Sequence, residues 1–243
     1  MGGVSQSFTC GGQVLVVVAI LLAAGWAVYR YSFRIESRAW VNALCRGKGG
    51  RRKVAITFDD GHHPIYTPKV LEVLKRHGVK ACFFLIGDEI RPEILTQQHA
   101  EGHIVGNHTL HHRGMGPFAS TAEMVRDAEA CDRKIESVIG LRPQLFRPPF
   151  GVTNPMIGRM IKRRGYTTIG WSVRSLDTLG QPREKVLKRI EEQLHDGAII
   201  LLHDNREGAA ELLDEVLRLL GKADYEVCRV DELLNIKAYK NEI

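Results

Sequence analysis

From residue 53 to residue 230 the chain alternates short apolar runs with longer stretches of helical periodicity, and this alternation narrows the fold more than any other feature. Residues 53–58, 81–86, 104–107, 145–147, 167–173, 198–202 and 225–230 read as strands. Most are apolar without interruption, as parallel strands covered on both faces should be. Helices are predicted over 67–77, 92–101, 120–139, 155–164, 182–194 and 207–220, with Gly78, Gly102 and Gly165 closing three of them. A short helix starts at Asp231. About seven βα units follow, and both a parallel barrel and a doubly wound sheet satisfy them. The unusual polar residues favour the barrel. Asp59, Asp60, His108, His112, Arg147, Asp177 and His203 all come just after predicted strands. In a parallel barrel those ends share one face, where catalytic groups converge.

At 243 residues the chain can build one substantial core. Its net charge of +6 is unevenly spread. Residues 1–29 carry no charged side chain, residues 30–53 carry eight basic groups against Glu36, and the remainder is close to neutral. The excess is therefore a juxtamembrane cluster and not a nucleic-acid-binding surface. Ahead of it, residues 14–29 (VLVVVAILLAAGWAVY) are uninterruptedly apolar, with Trp26, Tyr29 and Tyr31 at the far end where interfacial aromatics belong. An uncleaved single-pass anchor is expected. A cleaved signal peptide is the rival, and it lacks a basic residue ahead of the run; a buried core helix is the third option. The charge order puts the following domain on the cytoplasmic side. The expected organisation is an anchor over 1–31, a basic linker over 32–52 (flexible over 47–52), a catalytic domain over 53–236 and a tail over 237–243. Five scattered cysteines without a CxxC pair suggest neither a disulfide framework nor a cysteine metal site.

The chemistry-bearing residues begin with Asp59-Asp60-Gly61. Adjacent strand residues point opposite ways, so the two acids need not share a role. Taken alone, such a triplet is as often only a turn. His108-Thr109-Leu110-His111-His112 follows the third strand. His108 and His112 stand one helical turn apart and can face one metal; His108 with His111 is also geometrically open. A solvated histidine-rich loop is the plainer alternative. Two imidazoles and one Asp make a set with open positions, which suits zinc and also cobalt, nickel or manganese. A buried Arg147 would need an acid, for which Asp59 is a candidate, and Asp177 could fix the tautomer of His203. A surface Arg, a surface Asp and a satisfied core histidine are the bland readings of these three. His62, His63, His77, His99, His103 and His195 are taken as structural or solvent-exposed.

The ordered set TFDDG, HTLHH, RPPFG, WSVRSLD and LLHD resembles the polysaccharide deacetylase family, that is, the NodB-homology domain of carbohydrate esterase family four, over roughly residues 52–235. The resemblance implies a distorted parallel (β/α)7-type barrel, here preceded by one N-terminal transmembrane helix. It implies Asp59 as catalytic base, Arg147 holding it, and Asp60, His108 and His112 as ligands of one divalent metal, zinc before cobalt, nickel or manganese. It also implies His203 as general acid supported by Asp177, the Phe150 N–H as oxyanion donor, and Leu201 and Trp171 in the acetyl pocket. The implied activity is removal of N-acetyl groups from an amino-sugar carbohydrate: a polysaccharide, peptidoglycan, or a lipid- or nucleotide-linked precursor. An O-acetyl esterase, a non-sugar amidase and a membrane-anchored carbohydrate-binding pseudoenzyme are the alternatives. The family leans to the outer side of the membrane, against the charge order. The sequence departs from the pattern at His62, where a proline usually stands, at Arg174, which replaces an acid, and at Thr178, which replaces a tryptophan. These departures bear on substrate shape.

Overall fold

A computed structural model describes residues 10–50, 52–112 and 120–241. Residues 1–9 of the expected anchor, Arg51 of the basic stretch and residues 242–243 of the expected tail lie outside the described residues. Eight strands are formed among those described: β1 (Lys53–Asp59), β2 (Cys82–Leu85), β3 (Ile104–Asn107), β4 (Leu145–Phe146), β5 (Thr167–Thr168), β6 (Val173–Arg174), β7 (Ile199–His203) and β8 (Glu226–Val227). Every pairing between them is parallel. The order is β5-β4-β3-β2-β1-β7-β6, with β8 beside the start of β1. β5 and β6 stand at opposite ends of that order, yet only residues 169–172 join them. The sheet must therefore curl round on itself, and the fold is the expected distorted parallel barrel.

The predicted strand over 167–173 is interrupted at this seam. Gly170 donates its N–H to the Leu44 carbonyl, and Ser172 donates to Ile199. Bridges Leu44↔Ile169 and Arg46↔Ala198 place residues 44–46 in the gap. Gly170 has no room for a side chain there, since a Cβ would meet Cys45 and Ile35. The stretch expected as a linker thus contributes to the core: Ile35, Val41 and Ala43 are buried. The expected tail does so too, through Ala238 and Tyr239, whose hydroxyl accepts from the Val105 N–H.

The helices are α1 (Cys10–Ser32), α2 (Tyr66–His77), α3 (Pro92–Ala100), α4 (Thr121–Ile139), α5 (Pro155–Arg164), α6 (Arg183–Gln193), α7 (Ala209–Lys222) and α8 (Val230–Leu234). Ser120 and Glu123 form a capping box on α4, and Asn154 caps α5 with Pro155 behind it. α1 stands apart. Its segment Gly12–Ser32 contains a strongly apolar window, none of which is buried against the domain. It is long and apolar enough to cross a membrane.

Candidate active site

β1 rises through the centre of the sheet and ends at Asp59, whose carboxylate turns inward and is almost wholly buried. A buried carboxylate needs partners. Arg147, directly after β4 and fully buried, supplies them: its Nη1 donates to Asp59 Oδ1 at 2.7 Å and to Thr57 Oγ1 at 2.9 Å. Its remaining donors reach the Ile169 and Gly170 carbonyls, and the guanidinium lies 4.1 Å over the Phe84 ring. The seam between β5 and β6 therefore provides the two acceptors that fix this arginine. Asp59 Oδ2 remains on the open side, 3.8 Å from His108 Nε2.

Asp60 takes φ 72°, which turns its side chain out of the strand. Its Oδ1 lies 3.5 Å from His108 Nε2 and 3.3 Å from His112 Nε2. One ligand atom from each of the three lies within 4.8 Å of the others. His108 Nδ1 meets the Arg147 carbonyl at 2.7 Å, so Nδ1 carries the proton and the Nε2 lone pair faces Asp60. Asp60 Oδ1 is buried with no hydrogen-bond partner. An orphaned carboxylate oxygen facing two imidazole nitrogens fits a divalent cation. Burial alone would raise the Asp60 carboxyl, but His108, His112 and His203 outweigh it and bring it down to about 2. Burial, with His108 beside it, holds His112 below the ordinary histidine value. His111 turns away: its Nδ1 lies 2.5 Å from Asp88 Oδ2 and the side chain is 42% exposed. The geometry thus brings together His108 and His112, and leaves His111 outside.

His203 ends β7, which pairs in register with β1 so that Asp59 and His203 stand side by side. Its Nδ1 lies 2.8 Å from Asp177 Oδ1, while its backbone N–H donates to Asp177 Oδ2 at 2.9 Å. Ser175 and Arg206 brace Asp177 in turn. Burial works against a charged His203, yet the Asp177 bond and charge outweigh it and raise the imidazole above its ordinary value. Burial likewise works against the Asp177 carboxylate, and His203 outweighs it and lowers the carboxyl. His203 Nε2 points to the open side, 3.9 Å from Asp60 Oδ2.

Phe150 and Gly151 form the fourth wall. Both take positive φ, 58° and 68°. A side chain at 151 would collide with the Trp171 ring, so the glycine permits both the turn and the close approach. The Phe150 ring is 62% exposed and lies 4.6 Å from that of His112. Trp171 and Leu201 close the inner end of a cavity of about 250 Å³. Four residues lining it, Asp60, His112, Phe150 and Leu176, hold left-handed backbone without being glycine. Such strained residues cluster where a constellation must be held.

Three further residues line the cavity: Arg174 and Thr178, marked in the sequence as departures that bear on substrate shape, and Leu176, for which the sequence held no expectation. The Arg174 guanidinium lies 5.7 Å from the Trp171 ring centre, and among the described residues no carboxylate pairs with it. Asp204 was also missed. It is fully buried, its Oδ2 accepts from Thr67 Oγ1 at 2.7 Å, and its carboxylate occupies the space a side chain at Gly61 would need. Burial pushes its carboxyl up to about 7. Only its place beside His203 hinted at it. His62 is buried, bonded to Gln98 and to the Arg91 N–H, and burial brings it down to about 4, a structural residue as expected.

Residues 46–169 match the family model described as polysaccharide deacetylase. The peptidoglycan-N-acetylmuramic acid deacetylase PdaA of Bacillus subtilis is 33% identical over 79% of this chain and 75% of its own length. A peptidoglycan-N-acetylglucosamine deacetylase of Bacillus cereus is 34% identical over 76% of this chain and 89% of its own. Among solved structures, the Bc1960 peptidoglycan N-acetylglucosamine deacetylase superposes with a TM-score of 0.75 at 26% identity, over 80% of this chain and 93% of its own. BA3943 of Bacillus anthracis, described as a CE4 family pseudoenzyme, superposes with a TM-score of 0.73 at 28% identity, over 82% of this chain and 70% of its own.

Proposed function

Since the chain belongs to the polysaccharide deacetylase family, we propose that it hydrolyses N-acetyl groups from amino sugars of peptidoglycan or of a lipid-linked precursor of such a glycan. The observation that carries this reading is the pairing of Asp59 with Arg147 and of His203 with Asp177 on the rim of one Asp60–His108–His112 site. It gives a base and an acid, each oriented by its own partner, facing the same small volume.

In this reading Asp60, His108 and His112 hold one divalent metal, zinc first. When bound, it supplies Lewis acidity that lowers the pKa of water and polarises a carbonyl. Asp59 Oδ2 takes the proton from the attacking water, while Arg147 keeps Oδ1 fixed. The Phe150 N–H donates to the acyl oxygen as it gains charge, a contribution of about 10²–10³ in rate for one such donor. Trp171 and Leu201 enclose the acetyl methyl. His203 Nε2 then protonates the departing amine, which would otherwise leave very poorly; Asp177 holds the tautomer that permits this. Arg174 at the mouth favours a sugar bearing an anionic substituent. α1 acts as a single-pass anchor, and residues 53–236 with their packed flanks form the catalytic unit.

The decisive experiment is acetate release from N-acetylated glycan oligomers by the full chain, stripped of metal and then reloaded with zinc or cobalt. Release that depends on metal and is lost in Asp59→Asn supports the reading. Release from O-acetylated sugars alone would make the protein an esterase. Full metal loading with no release from any acetylated sugar would put it with the pseudoenzymes, although here each implied catalytic position is filled.

A further inference from the structure

We propose that the catalytic face of the barrel lies against the bilayer that α1 spans, so that the enzyme takes its amino sugar from the membrane surface. The inference rests on the deacetylase reading and on α1 as a membrane span, and it specifies where the substrate is met.

The first observation is where α1 joins the domain. The Thr153 N–H donates to the Ser32 carbonyl, at the last residue of α1, at 2.8 Å. Thr153 belongs to the loop after β4, three residues beyond Phe150. Ile35 follows at once and is buried in a cluster with Trp171 and Leu201, the inner walls of the catalytic cavity. The chain then descends through the seam between β5 and β6, and the Gly47 N–H reaches the Gly197 carbonyl ahead of β7, at the opposite end of the barrel. α1 therefore enters on the catalytic face. Between α1 and that point the chain is tied down by buried Ile35, Val41 and Ala43 and by the bridges of Leu44 and Arg46, which leaves little slack to lift that face from the membrane.

The second observation is independent of α1. Beyond α1 and the adjoining Phe33, the exposed large apolar side chains among the described residues are Ile65 (56%), Phe150 (62%) and Leu179 (60%). They lie in the loops that follow β1, β4 and β6. Single exposed apolar residues are ordinary. Three that share the C-terminal face of a parallel barrel, around its catalytic mouth and beside the end of a span, form a rim suited to the interface of a bilayer. Arg30, Arg34 and Arg38, with Tyr29 and Tyr31, put the headgroup level at this same junction.

The test uses the full chain in phospholipid nanodiscs, as wild type and as the double variant Ile65→Asp/Leu179→Asp, neither residue being part of the catalytic machinery. Hydrogen exchange is read over 61–66, 149–153 and 177–181, with the loops at the opposite end of the barrel as internal reference. The proposal expects slow exchange in the three catalytic-face loops of the wild type, lost in the variant. It also expects the variant to lose about ten-fold or more in acetate release from an N-acetylated sugar on a lipid carrier in the nanodisc, with release from a soluble N-acetylated oligomer unchanged. Equal exchange in both proteins, or protection confined to the opposite end, overturns it. Protection accompanied by two chains per nanodisc overturns it in favour of a second copy as the occupant. Recovery of the chain free of nanodiscs removes the span and the proposal with it. No release from either substrate by zinc-loaded wild type sinks the deacetylase reading, while the exchange pattern still decides the orientation.

Discussion

Arg147 Nη1 and Asp59 Oδ1 stand 2.7 Å apart inside the barrel, with side chains 0% and 6% exposed. Removing one partner from such a pair leaves the other charge buried and uncompensated, which costs about 3–5 kcal/mol. Arg147→Met should lower stability by that order, read as a shift of the urea midpoint at pH 7. Arg147→Lys should rescue little, because a single ammonium cannot also reach the Ile169 and Gly170 carbonyls. An unchanged midpoint in Arg147→Met would show that the pair is not the clamp on Asp59.

The proposed metal set separates two neighbouring histidines. After zinc loading and dialysis, metal analysis should find one ion per wild-type chain and markedly less in Asp60→Asn, His108→Ala and His112→Ala. His111→Ala should keep its zinc, because that ring is bonded to Asp88. Loss in His111→Ala with retention in His112→Ala would move the site to the other pair of histidines.

Which residues meet at the site was legible in part, and the reasons differ by residue. Asp59, Asp60 and His203 could be placed at strand ends because long apolar runs mark β1 and β7, but each has an ordinary structural reading alone, and only the ordered set of motifs joined them into one site. His111 and His112 were not separable by spacing, since the choice depends on left-handed backbone at Thr109 and His112 that reverses the loop. The break after β5 was invisible because residues 167–173 are apolar enough for one strand, and what divides them is the distant Leu44. Residues 35–46 looked like linker because the basic cluster of residues 30–53 runs through them, whereas Ile35, Val41 and Ala43 are buried against partners far along the chain. Leu176 enters the cavity through a left-handed turn that no periodicity marks.

The roles proposed for Asp177 and His203 make the rate depend on pH in a defined direction. Asp177 raises the His203 value, so the protonated acid persists further into the alkaline range. Asp177→Asn should move the alkaline limb of kcat to lower pH and reduce kcat at neutral pH by about 10²–10⁴. The stability signs are opposite for the two partners. The raised His203 contributes stability that is complete below its unfolded value and is lost as pH rises through its folded one. The lowered Asp177 contributes stability present above its unfolded value and lost as pH falls through its folded one. The wild-type advantage over Asp177→Asn should therefore be greatest at about pH 5–6, between the two reference values. Urea midpoints across pH and a kcat profile check both, and a variant whose alkaline limb does not move would remove Asp177 from this role.

Arg174 distinguishes this site by charge. Its guanidinium stands at the cavity mouth over Trp171, exposed and paired with no carboxylate among the described residues. An N-acetylated sugar with a carboxylate on the neighbouring ring position, such as the lactyl ether of a muramic acid, would gain a charge-assisted hydrogen bond there. Hydrogen bonds to charged groups are worth about 1.5–3 kcal/mol, or roughly ten- to a hundred-fold in affinity. Arg174→Ala should raise KM for the anionic sugar by that factor, leave its kcat nearly unchanged, and leave both constants for the neutral sugar where they were. Arg174→Lys should retain part of the preference, since it keeps the charge without the planar fork. Added salt should narrow the gap between the two sugars in wild type and not in Arg174→Ala, because the group is solvent-exposed and open to screening. Equal losses on both sugars would make Arg174 a support for Trp171, and no loss on either would leave it outside the substrate's reach.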